Sequence, residues 1–97
     1  MKNLTISGDV ERKLQEKHNV VRSEVEQCFY NRAGRLLIDS REDHKTTPPT
    51  LWFLAPTNKG RMLKIVYIQV DTRIHLRSAF EPNEAEEHIY RKYGQAC

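Results

Sequence analysis

The stretch from Thr50 to Phe80 constrains this chain most, because it supplies three strand candidates in hairpin succession. TLWFLA, a turn at PTNKG, RMLKIVYIQV, a turn at DT and RIHLRSAF follow one another without a helical pattern between them. Neighbouring side chains of a strand face opposite sides, so a period of two is a statement about space. In the last strand Ile74, Leu76, Ser78 and Phe80 fall on one side, and Arg73, His75, Arg77 and Ala79 on the other. The first set is expected to face a core, the second to present positive charge to solvent or to a polyanion. Between positions 59 and 77, Lys59, Arg61, Lys64, Arg73 and Arg77 stand against Asp71 alone.

The flanking segments read as helices. Ser7 or Asp9 can cap a first helix carrying Val10 and Leu14 on one face, with Asn19 as its left-handed end. Ser23 with Glu26 three residues on is a capping-box pair for a second helix, whose buried stripe is Val25, Cys28 and Phe29. Arg35 to Asp39 is a short strand candidate, and residues 40–49 a polar loop closed by Pro48 and Pro49. Residues 1–6 are a frayed end or a short edge strand. Asn83 with Glu86 opens a last helix with Ala85, Ile89 and Tyr93 expected inward and Gly94 as its stop. The order ααββββα predicts an α+β fold: two N-terminal helices, a four-stranded antiparallel sheet with helices packed on one face, and a C-terminal helix. At 97 residues this is one domain, 1–97.

A net charge of +3 favours an acidic partner without demanding one. The two cysteines, Cys28 and Cys97, imply no disulfide framework, and no apolar run is long enough to span a bilayer, so the expected setting is the cytoplasm, away from membranes. Four isolated glycines make no phosphate-binding loop, and the histidines lack zinc-ligand spacing, so neither a cofactor nor a metal is expected.

Five groups could carry chemistry. Arg73, His75 and Arg77, with Arg61 or Lys64 on the neighbouring strand, could grip phosphates along a sheet face; the competing reading is a solvated outer face. Lys17 and His18, after Glu16, could form an acid/base and phosphate cluster, or simply complement a helix C-terminus. His44, beside Glu42 and Asp43, is a loop histidine able to move protons, or part of a solvated loop. Trp52 and Phe53 point to opposite faces of one strand, so one packs in the core and leaves the other as a candidate stacking platform. Tyr67 and Tyr90 are rim residues or nuclease-type acids.

Glu16-Lys17-His18, the V-x-x-C-F of the second helix, Gly60-Arg61-x-Leu63, the run Arg73–Ala79 and Glu86 with Tyr90 together resemble the BrnT-like toxins, over roughly residues 9–93. These are small RelE-like ribonucleases encoded beside an antitoxin. The resemblance implies the same element order and places Lys17, His18, Arg61 and Tyr90 on the active face. It also implies arginines at two positions where this chain has Phe80 and Glu87. The run Arg41–Phe53 and the start of the last helix, Glu81–Glu86, resemble a branch often labelled ADP-ribosyl-(dinitrogen reductase) hydrolase.

The leading expectation is a metal-independent endoribonuclease of a type II toxin–antitoxin pair. Arg61, Lys64, Arg73, His75 and Arg77 would bind RNA, and Lys17, His18, His44, Arg61 and Tyr90 would serve catalysis. RNA and a cognate antitoxin are the expected partners, in a homodimer or a toxin–antitoxin hetero-oligomer. The alternatives are a non-catalytic module binding nucleic acid or protein on the same fold, and an ADP-ribosyl hydrolase.

Overall fold

A computed structural model describes residues 1–39 and 48–94. The fold is α+β: three helices and a five-stranded mixed sheet are described. In chain order the elements are β1 (Leu4–Thr5), α1 (Gly8–Lys13) running into a π-helical turn (Leu14–His18), α2 (Arg22–Asn31), β2 (Leu37–Ile38), β3 (Thr50–Pro56), β4 (Met62–Val70), β5 (Arg73–Phe80) and α3 (Glu84–Tyr93). The sheet order is β1-β5-β4-β3-β2. The expected four-stranded antiparallel sheet thus gains a fifth member. Residues 4–5 pair in parallel with β5, Leu4 against Ile74 and Thr5 against His75, while the other ladders are antiparallel.

Local chemistry sets the helix ends. The Ser7 hydroxyl accepts from the Val10 N–H at 3.2 Å, and Asn19 closes the π turn at φ 53°, with its N–H bonded to the Leu14 carbonyl. The second helix is capped two residues before Ser23: Val21 is its cap position, and the Glu24 carboxylate accepts from the Val21 N–H at 3.2 Å. Arg22 then ties down the N-terminal segment by donating to the carbonyls of Met1 and Leu4. In α3 the expected reciprocal box forms. Glu86 N–H donates to Asn83 Oδ1 at 2.8 Å, and Asn83 N–H to Glu86 Oε1 at 3.0 Å. Gly60 takes the left-handed conformation (φ 86°) needed to close the β3–β4 turn.

One sheet face carries Phe53, Leu63, Ile65, Tyr67, Leu76 and Ala79, all buried. Phe29 of α2 meets Phe53 and Tyr67 edge-on at 5.1 and 5.2 Å, and Leu14 and Val20 complete this core. The other face carries Trp52, Leu54 and Lys64, and here α3 packs, with Tyr90 5.7 Å from Trp52. Helices therefore cover both faces, not one as the sequence predicted. Tyr90, not the predicted stripe, is the residue α3 buries: Ile89 and Tyr93 stay 42% and 58% exposed. No helix among the described residues is long and apolar enough to cross a membrane.

Cys28 is buried and its Sγ–H points at the Ala55 carbonyl, 3.4 Å away. Burial, and secondarily the charge of Glu24, push its thiol up to about 12. The folded state therefore holds a proton that the unfolded chain releases near the ordinary thiol value, so this contribution is complete at neutral pH and is lost as pH rises towards 12. In native protein Cys28 is expected to resist Ellman's reagent at pH 8 and to react once urea unfolds the chain. Rapid native labelling at Cys28 would contradict the packing.

Candidate functional site

On the α3 side of the sheet, aromatic rings and cations form a continuous row. The His18 ring lies 5.4 Å from Phe80, Lys64 Nζ lies 5.6 Å from the Phe80 centroid and 4.5 Å over Trp52, and Trp52 meets Tyr90. Lys64 opposes Leu54 on one side and Phe80 on the other, so the row follows the cross-strand register. His18, Lys64 and Tyr90 are thereby brought together, with Arg61 close to His18.

Most of these groups are already engaged. Arg61 Nη1 donates to the Asn19 carbonyl at 2.8 Å and to the Glu24 carboxylate at 3.1 Å, Nη2 to the His18 carbonyl at 2.8 Å, and Nε to Glu81 at 3.1 Å. Desolvation opposes its charge, but the hydrogen bonds to Glu24 and Glu81 outweigh that and raise its pKa. Its guanidinium clamps the π turn to α2 and to the segment before α3, so the phosphate role expected of Arg61 is filled internally. Lys64 likewise differs from the expectation: its ammonium donates to Glu86 Oε2 at 2.6 Å, with the two side chains only 8% and 19% exposed. The Tyr90 hydroxyl donates to the Arg35 carbonyl at 2.8 Å, and burial raises its pKa. A phenol so held keeps its proton in the interior instead of offering it to a substrate. Gly34 leaves room for that ring, since a Cβ there would collide with Tyr90 and the Gly94 carbonyl.

Arg73, His75 and Arg77 are exposed, and among the described residues none of the three has an ion pair or a side-chain hydrogen bond. The ladder between β4 and β5 contains a bulge that the alternation could not show. Tyr67 opposes Leu76 and Val66 opposes Ser78, leaving Arg77 as the extra residue. Beyond it the parity inverts, so Ala79 joins Leu76 in the core and Phe80 moves to the side of Arg73 and His75. The expected grouping of Phe80 with Ile74 and Leu76 is therefore corrected.

Lys17 is exposed and His18 half-buried beside it. His44 lies outside the described residues. Trp52 and Phe53 do face opposite sides, but both are buried, so Trp52 is not the free stacking platform. Among the described residues no three His, Cys, Asp or Glu side chains gather as a metal-binding group. A groove of about 560 Å³ opens between β2 and α3, where Ile38, Ile89 and Tyr93 flank Trp52 and the Lys64–Glu86 pair. Sequence reasoning missed Glu24, Glu81 and Phe80. The first two lie far along the chain from the arginine they bind, and Phe80 needed the bulge to reach this face.

The architecture and the site thus define an α+β domain with an exposed cationic strand and an internally paired aromatic–cation row. No protein-family model matches the chain, and no curated protein matches it.

Proposed function

We propose that this domain is a toxin-like RNA-binding module that grips phosphates along β5 and is held in the cell by a cognate antitoxin protein, with binding ahead of cleavage as its function. The observation that carries this reading is the trio Arg73, His75 and Arg77, exposed and without side-chain partners among the described residues, while Arg61 and Lys64 are committed to carboxylates. Successive same-face residues of a strand lie about 7 Å apart, a spacing that lets Arg73 and His75 meet different phosphates of one strand. Replacing both Arg73 and Arg77 by alanine is expected to weaken RNA binding about tenfold in filter retention at low salt. It should also flatten the salt slope by roughly 1.4, two phosphate contacts of a single strand. Unchanged affinity and slope would defeat the reading. Co-purification from the native host should bring a small protein along, and that partner should raise the melting temperature as any native-state ligand does.

One observation favours metal-independent cleavage of RNA as a second reading: His18 is half-buried, its ring held against Phe80 and next to exposed Lys17. Proton transfer by a positioned imidazole with a neighbouring cation is suited to phosphodiester cleavage. RNA incubated with the protein in excess chelator should then be cut, and His18→Ala should stop it. Intact RNA over hours at micromolar protein would leave binding as the function.

A further inference from the structure

We infer that Phe80, backed by His18, is a nucleobase-stacking subsite at the end of the cationic strand, which makes the ligand single-stranded RNA and not a polyanion in general. This deepens the RNA-binding reading above and rests on it. Three observations converge on Phe80. The bulge at Arg77 carries it to the face of Arg73 and His75. Phe80 is only partly buried, whereas Trp52, Phe53, Tyr67 and Tyr90 are buried. It is also flanked by the His18 imidazole at 5.4 Å and the Lys64 ammonium at 5.6 Å, so one aromatic ring, one imidazole and one cation surround a single spot.

Register places that spot within reach of the phosphate grip. Phe80 opposes Lys64, while Arg77 falls opposite the step between Val66 and Tyr67, two to three residues further along β4. At the usual rise this is about 7–10 Å, the reach of one nucleotide from a phosphate to its base. A base whose phosphate rests on Arg77 can therefore lay its π-face on Phe80. Bases locked in a duplex offer no free face, so the geometry selects unpaired RNA. Purines, with the larger stacking surface, should bind better than pyrimidines.

Fluorescence anisotropy with three labelled probes of equal length tests this: oligoadenylate, oligouridylate and an abasic ribose-phosphate oligomer. The wild type is expected to bind oligoadenylate about 5- to 100-fold more tightly than the abasic oligomer. Phe80→Leu, which keeps most of the volume that Lys64 and His18 pack against, should abolish that preference while leaving abasic binding unchanged. Phe80→Trp should retain it, and His18→Ala should reduce it. Melting curves identify any variant that fails to fold, in which case the wild-type comparison of the three probes decides alone. Equal wild-type affinity for RNA and the abasic oligomer, or a preference that survives Phe80→Leu, overturns the stacking subsite while the phosphate strand stands. Failure of the wild type to bind any probe overturns both.

Discussion

Replacing Arg61 by alanine is expected to lower the unfolding free energy by about 3 kcal/mol, read from urea denaturation, because hydrogen bonds to charged partners contribute roughly 1.5–3 kcal/mol each and several vanish together. The variant leaves the His18 and Asn19 carbonyls without their donor and removes the cation between Glu24 and Glu81. The side chain is 26% exposed, so water can take over part of each bond, and the figure is set below the sum of the individual bonds. Arg61→Lys should recover less than half of the loss, since one ammonium cannot reach both carbonyls and two carboxylates at once. The outcome separates two roles that the sequence leaves together. Near-wild-type stability with a fall in RNA affinity would return Arg61 to the ligand-binding surface. Lost stability with RNA affinity intact in the folded fraction fixes it as the clamp.

The second large effect is expected at Lys64. Lys64→Ala removes one cationic partner of a carboxylate that is only 19% exposed and strips the cover from Trp52, which together should cost about 3 kcal/mol. The double variant Lys64→Met with Glu86→Gln should come within about 1 kcal/mol of the wild type. Methionine refills the space over Trp52, and glutamine keeps the reciprocal box with Asn83 that starts α3. Thermal and urea melts of the two proteins check both halves. If Lys64→Ala is harmless, the ion pair is not what anchors α3 to the sheet.

Much of the fold was legible because it is fixed by chemistry within a few residues. The Ser7 cap, the left-handed Asn19 and the Asn83–Glu86 box all appear where local hydrogen-bonding capacity put them. What depended on distant surfaces was not legible. Counting apolar residues on α3 selects Ala85, Ile89 and Tyr93, yet the sheet offers Trp52 and Lys64, and these choose Tyr90 and Glu86 instead. Residues 1–6 read as either a frayed end or a short edge strand, and the presence of β5 beside Leu4 and Thr5 decides for the strand. The bulge is an extra backbone residue that no side chain demands, so strict alternation carried Ala79 and Phe80 to the wrong sides. The cationic strand was read from its residues, but which cations remain free was not: Arg61 and Arg73 look alike until their neighbours are known.

The parallel pairing of Leu4 with Ile74 has a consequence for how the chain matures. A long stretch of chain lies between those two residues, so the opening segment has no strand to join until β5 has been made. Closing so large a loop is entropically the slowest kind of contact to make. Arg22, already holding the Met1 and Leu4 carbonyls from α2, can keep the waiting segment in place for β5. Assembly of this edge is thus expected to come late in folding, after β4 and β5 have paired.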